Sequence, residues 1–409
     1  MGAVDVISMD ALLWSIYLLG IKDPRKDFVY LSQRTNQVGP HTSQPPHEKD
    51  DSPKIPDQPL TYHNLLYDPI PYPSSLSSRL TWVGTLLISL RFTNWRISSP
   101  HHDRRQPHAP LPRHHLEFIL HALLRSLIGY LLLDLSSHLM SLDPYFTNPS
   151  IPLLTPPSPS CPLPPLLQPL HASPLLTLAF RASLVATQAW SLISQNYHLP
   201  MTLPAALHYL RLLPHTWSPH LWPPPFGPAK AVLTSGLRGF WSVYWHQAMR
   251  FVVAGPGEAV VDLLLGKGRG ARGMRFMLLT LVAFGLSGCI HMGLVPRSPK
   301  GEVGPGRIRL LVGGFFWVQP LGMAVERWGA GAVRGWVPVG WREGRVGTWA
   351  GMAAYAVWIF GWSCVCFPLL GEAGRQMGWF GNYTVPWSAL RWWMEGDGWM
   401  WDCLKEKTA

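Results

Sequence analysis

Residues 274–295 read MRFMLLTLVAFGLSGCIHMGLV, and the fold is decided by this stretch. Arg275 at its start and His291 near its end are its only basic side chains, and it has no acidic one. A helix rises 1.5 Å per residue, so about 20 apolar residues cross the hydrocarbon core of a bilayer. A helix buried in a soluble domain keeps one wet face. This one has none, so it reads as a membrane span.

The same pattern recurs outward from it. Residues 308–325 and 349–370 on the C-terminal side are apolar, as are 175–193 and 116–140 on the other. Within 116–140, Asp134 and His138 are four apart on one helical face and are expected to satisfy each other. Shorter apolar pieces lie at 9–20, 80–92 and 203–213. Between these runs the chain is dense in Pro, Ser, His and Arg. Residues 26–79 read as a polar loop without a core of its own, 100–115 as an exposed His/Arg loop, and 144–174 as a proline-rich irregular segment. The overall hydrophobic share of 47% is ordinary; the segregation of apolar from polar sequence carries the argument.

These observations predict an all-α, polytopic membrane bundle of about six to eight spans. Amphipathic or re-entrant helices accompany them, because residues 237–265 hold Arg238, His246, Arg250, Glu258 and Asp262, too many charges for a plain span. Three regions follow: 1–79, a short apolar segment and polar loop; 80–215, helices with His/Arg-rich and Pro-rich loops; and 216–409, the region expected to carry the chemistry.

Several classes are excluded. The five cysteines are scattered, with no C-x-x-C spacing, so neither a disulfide framework nor structural zinc is expected. Asp5 and Asp10 occupy the place of a basic n-region, so residues 9–20 do not read as a cleavable signal. The net charge of +11 lies in loops beside apolar runs, which fits lipid headgroups and an anionic cosubstrate better than nucleic acid. Arginines flank residues 274–295 on both sides, so the positive-inside rule gives no orientation. The sequon Asn382-Tyr383-Thr384 would be lumenal if glycosylated.

Three constellations hold candidate chemistry. In Ser287-Gly288-Cys289-Ile290-His291 an imidazole sits near the end of an apolar span, where an ionisable group is costly to place. Ser287 shares its face, and Gly285 and Gly288 permit a helix or ligand to approach closely. The same position also suits a histidine that merely bonds between helices. A Cys289–His291 dyad fails because residues two apart on a helix diverge. A metal held by His291 and His246 would need further ligands that the sequence does not supply, so no metal is expected.

In the second constellation, Leu237-Arg238-Gly239-Phe240-Trp241 leads into Tyr244-Trp245-His246-Gln247. Trp241 and Trp245 share a face, Arg238 suits a phosphate, and His246 lies beside the rings; an interfacial aromatic belt is the alternative. In the third, Gln319-Pro320-Leu321-Gly322 leads to Glu326, and Gln319 and Glu326 nearly align on one helix face. They suit a substrate contact or a polar pair between helices. Gly268-x-Gly270-x-x-Gly273 imitates a dinucleotide fingerprint, but no strand precedes it. Lys267, Arg269 and Arg272 could still attract coenzyme A phosphates.

In this order the motifs resemble the wax synthase-like branch of the membrane-bound O-acyltransferases, especially fungal members that acetylate terpenoids and meroterpenoids. Arg91-Phe92-Thr93-Asn94-Trp95 and Trp222-Pro223-Pro224-Pro225-Phe226-Gly227 belong to the same series. The resemblance implies acyl transfer from acetyl-coenzyme A to a hydroxyl of a hydrophobic alcohol, in the endoplasmic reticulum membrane and with no permanently bound cofactor. It implies His291 as the catalytic base and His246 as the second polar site residue. Trp241, Trp245, Arg238, Gln319, Glu326 and Ser287 then line the substrate or cosubstrate. A long-chain wax ester synthase is the alternative within this class. A transporter of a hydrophobic metabolite is the rival outside it, although its inverted hydropathy repeats are not found.

Overall fold

The computed structural model describes residues 12–33, 60–62, 65–88, 95–97, 115–161, 163–213, 217, 225–245, 250–266, 272–299, 303–336, 338, 344–381 and 384–396. An apolar helix, α1 (Leu12–Ile21), opens the described chain. Strands β1 (Phe28–Gln33), β2 (Leu60–Tyr62), β3 (Leu65–Ile70) and β4 (Trp95–Ile97) follow, with α2 (Leu76–Ile88) between the last two. The long helices come next: α3 (His115–Leu142), α4 (Pro174–Tyr209), α5 (Lys230–Gly239), α6 (Arg250–Leu265), α7 (Arg272–Met292), α8 (Pro305–Trp317), α9 (Gln319–Trp336) and α10 (Arg345–Gln376). A short α11 (Ala389–Glu395) ends the series.

Among the described residues, five helical stretches are long and apolar enough to cross a bilayer: Leu116–Leu142, Pro174–Tyr209, Gly273–Met292, Pro305–Val333 and Arg345–Gln376. Leu120, Leu123, Leu124 and Leu127 stand outward on α3, as do Val357, Phe360 and Val365 on α10. Exposed leucine rows of this extent belong against lipid, where backbone groups are already paired within the helix. The chain is therefore built as an integral, all-helical membrane protein with a small extramembrane addition.

That addition departs from the polar loop expected over 26–79. The four strands pair antiparallel in the order β2-β3-β1-β4, with Tyr30 opposite Ile70 and Phe28 opposite Ile97. Their core is aromatic: the rings of Trp82 and Trp95 meet edge-on at 4.7 Å, against Phe28 and Tyr17. Tyr17 and Leu18 come to this core from the apolar piece 9–20 and Trp82 and Leu86 from 80–92, whereas Phe28 and Trp95 come from segments that no apolar run announced.

One further departure has a clear cause. Residues 175–193 and 203–213, read as separate helices, are one continuous α4 that runs through Pro200 and Pro204. Each proline removes one ladder hydrogen bond, a loss that neighbouring helices can absorb in a membrane bundle. Asp134 also reaches α11, where its Oδ2 accepts from the Leu390 amide at 3.0 Å.

The main core forms where α3, α4, α8 and α10 meet, around Met140, Tyr145, Phe146, Val185, Phe315, Phe316 and Phe367. At one end a buried ion pair ties the proline-rich connection to α4. Arg181 donates from Nε and Nη2 to both Asp143 oxygens, at 2.7 and 2.9 Å, and from Nη1 to Leu153 O at 2.5 Å. Tyr145 lies between two guanidiniums, Arg181 at 4.1 Å and Arg375 at 3.7 Å from its ring centre. Burial raises the Tyr145 phenol above its ordinary pKa, with Arg375 partly opposing it.

Candidate active site

The site grows from the last turn of α7. His291 Nδ1 lies 2.7 Å from Ser287 O. A carbonyl only accepts, so Nδ1 carries the proton in this bond; when the ring is neutral, Nε2 keeps its lone pair. The ring stacks on Phe316 at 4.1 Å between centres and 30° between planes, which sets its rotation. Ser287 therefore contributes through its backbone, by fixing the tautomer of the histidine one turn ahead.

Behind Phe316 stands Trp241, in the π-helical turn Phe240–Tyr244 that continues α5. Its ring meets Phe284 at 5.2 Å, Phe315 at 6.2 Å and Phe316 at 6.3 Å. Trp245 meets it edge-on at 6.2 Å, so these two tryptophans do come together. Trp241 Nε1 donates to Gln319 Oε1 at 3.2 Å, and Trp362 Nε1 donates to the same oxygen at 3.0 Å. Gln319 Nε2 donates to Phe315 O at 2.7 Å, just where Pro320 interrupts the ladder between α8 and α9. Gln319, 2% exposed, is thus engaged by the protein at both ends of its amide and holds the aromatic wall in place.

Glu326 serves a comparable purpose. Its Oε2 accepts from the Leu237 amide at 2.7 Å, over a kink in α5 at Gly236, whose φ of 61° and ψ of −144° suit only glycine. A Cβ at Gly236 would lie 2.2 Å from that carboxylate oxygen. Gln319 and Glu326, expected at a substrate contact or in polar pairing between helices, both shape the α5 segment that carries Trp241. Arg238 is exposed, with its guanidinium 5.0 Å from the ring centre of Phe276. Phe276 lies four turns before His291, about 22 Å along the axis at 1.5 Å per residue. Arg238 and His291 therefore mark the two ends of α7. His246 lies outside the described residues, as do Arg91 to Asn94, Trp222, Lys267 and Asn382.

Sequence reasoning gave no role to Phe316, Trp362 or Tyr244. Phe316 supports the imidazole; Trp362 shares Gln319 with Trp241; Tyr244 accepts from Trp190 Nε1 at 3.0 Å and stacks on Phe226. Their rings occur in sequence as ordinary core aromatics. Only the pairing across helices gives them a place.

Fold and site together define a helical membrane protein that holds a neutral-tautomer imidazole among aromatic rings. Comparison with known proteins agrees with the motifs. Residues 222–301, which span α5 to α7, match the Membrane bound O-acyl transferase family. Among curated relatives, "Acetyltransferase ataH" of Aspergillus terreus is 32% identical over 145 residues, 34% of this chain and 45% of that protein. "Acetyltransferase ple2" of Rhodocybe pseudopiperita is 28% identical over 219 residues, 53% of this chain and 49% of that protein. "O-Mevalon transferase yanI" of Aspergillus niger is 29% identical over 167 residues, 37% and 34% respectively. The chain spans less than half the length of each of these relatives. No solved structure matches the chain significantly.

Proposed function

We propose that this protein transfers an acyl group, acetyl in the first instance, from coenzyme A to a hydroxyl of a hydrophobic terpenoid or meroterpenoid. The observation that carries the proposal is the His291 Nδ1–Ser287 O bond in a membrane span. With Nδ1 so engaged, Nε2 is the ring atom that can act as the base. Nε2 takes the proton from the acceptor hydroxyl as the oxygen attacks the thioester carbonyl; the C–S bond then breaks and coenzyme A leaves as the thiolate. A positioned base contributes roughly 10²–10⁴-fold.

The remaining roles follow from position. His246, next in sequence to Trp245, orients a reactant or donates to the developing oxyanion, a contribution that can reach about 3 kcal/mol. Arg238, at the far end of α7, attracts the phosphates of the donor, helped by Lys267, Arg269 and Arg272. Trp241 and Trp245 line the apolar acceptor. The aromatic wall keeps water from the thioester. The printed names of ataH and ple2 support acetyl as the group; fungal secondary metabolism as the setting and the endoplasmic reticulum as the membrane follow from the motif resemblance.

The test is expression in yeast and incubation of microsomes with labelled acetyl-coenzyme A and a panel of hydroxylated terpenoids. Labelled ester is expected from the wild type, with a loss of at least about 100-fold in His291→Ala. Equal ester from both proteins would remove His291 from the mechanism. Ester from neither, with both proteins folded, would overturn the acyl-transfer reading for this acceptor class.

A further inference from the structure

Trp317 is the last residue of α8 and the neighbour of Phe316, but it serves a different space. Successive residues on a helix point about 100° apart. Phe316 covers the imidazole, while Trp317 turns into the crevice between α7 and α8. Its Nε1 donates to Gly285 O at 3.3 Å. The indole packs directly on two buried glycines, and at Gly288 it leaves no room for a side chain. A Cβ on Gly288 would stand 2.3 Å from Nε1, and one on Gly313 would stand 3.0 Å from the six-membered ring.

Gly285, Gly288 and His291 recur at every third residue, so they form one row that winds obliquely across α7, each member beside the next. The two glycines leave bare backbone along that row, and His291 stands next in it. Above Gly285 the crevice is open, since a Cβ there would meet nothing within 4 Å. At Gly288 it is filled, and the filler is Trp317. The indole is 40% exposed, so the crevice opens to the lipid side of the bundle.

A lipid-facing slot floored by glycine and about one ring thick fits a hydrocarbon chain. A two-carbon acyl group has no need of it. A longer acyl group, with its carbonyl at His291, must send its tail somewhere. We infer that Trp317 sets the acyl chain length this enzyme accepts, by occupying the groove along Gly285 and Gly288 that a longer acyl chain would fill. The inference rests on the acyl-transfer reading above and adds the residue that decides the donor. Filling or emptying one methylene's space in an apolar pocket changes selectivity by about 10–200-fold, so removing an indole is a large change.

The experiment compares acetyl-, butyryl- and octanoyl-coenzyme A as donors to the acceptor that the wild type esterifies best. The proteins are wild type, Trp317→Ala, Trp317→Leu and Trp317→Phe, each also carrying His291→Ala as a blank. The readout is the ratio of octanoyl to acetyl transfer. It is expected to rise at least about tenfold in Trp317→Ala and Trp317→Leu, and by less in Trp317→Phe. A role confined to packing would depress all donors alike and leave the ratio where it was. If Trp317→Ala does not fold, the leucine and phenylalanine variants carry the comparison. Acetyl transfer with a flat ratio across the active variants would overturn this inference alone. Wild type that already uses octanoyl as well as acetyl would do the same. Wild type inactive with every donor would remove the acyl-transfer reading and this inference with it.

Discussion

At the scale of the residue, the site shows how little freedom a buried polar group is left. Gln319 illustrates it: one carbonyl oxygen serves two indoles from different helices, and its amide nitrogen is spent on Phe315 O. Gln319→Leu would leave both indole N–H groups without this acceptor, at a cost of about 1–3 kcal/mol each where they are buried. The variant is therefore expected to unfold at lower temperature in detergent. Trp241 is also expected to lose its fixed orientation, seen as a shift in tryptophan emission and a fall in acyl transfer. Emission and melting identical to the wild type would show that the two indoles are held by their ring contacts alone.

At the scale of the element, α5 is the instructive case. Ten helical residues pass into a π-turn, and the change of direction is made at Gly236 with φ of 61°. The kink lets α5 pack against α10 while Trp241 reaches Phe284 and Arg238 reaches Phe276 on α7. A side chain at 236 would meet the Glu326 carboxylate as well as an unfavourable backbone region, which alone costs about 1–3 kcal/mol. Gly236→Ala is expected to lower the melting temperature and to reduce transfer more than it reduces expression. Thermal unfolding beside an ester assay checks both. An alanine variant with unchanged activity would mean that the kink does not position Trp241.

At the scale of the whole molecule, the bundle is tied across its connections as well as along its helices. The Asp143–Arg181 pair is fully buried and joins the end of α3, the proline-rich connection and α4. Removing one partner of such a pair costs about 3–5 kcal/mol because a charge is left without its counterpart. Asp143→Asn is therefore expected to be strongly destabilised in detergent. Asp143→Asn with Arg181→Met should recover part of the loss, since neither charge then remains. A double variant no better than the single one would assign the damage to the lost Tyr145 and Leu153 contacts. These residues are far along the chain from His291, so the surviving protein should keep its donor preference.

The sequence by itself determined that this chain enters a membrane, because apolar runs longer than a bilayer is thick leave no other place to put them. It also marked His291, since an imidazole in such a run is expensive, and it brought Trp241, Trp245, Gln319 and Glu326 forward through spacing alone. Tertiary structure decided what these residues touch. Gln319 and Glu326 face the protein because hydrogen-bond partners arrive from α5 and α10, many residues away. Phe316 and Trp317 acquire distinct places because two adjacent positions on one helix meet two different surfaces of another. The β-sheet was hidden for the same reason: its core joins residues of two short apolar pieces to Phe28 and Trp95, and no local period records a contact that only folding creates.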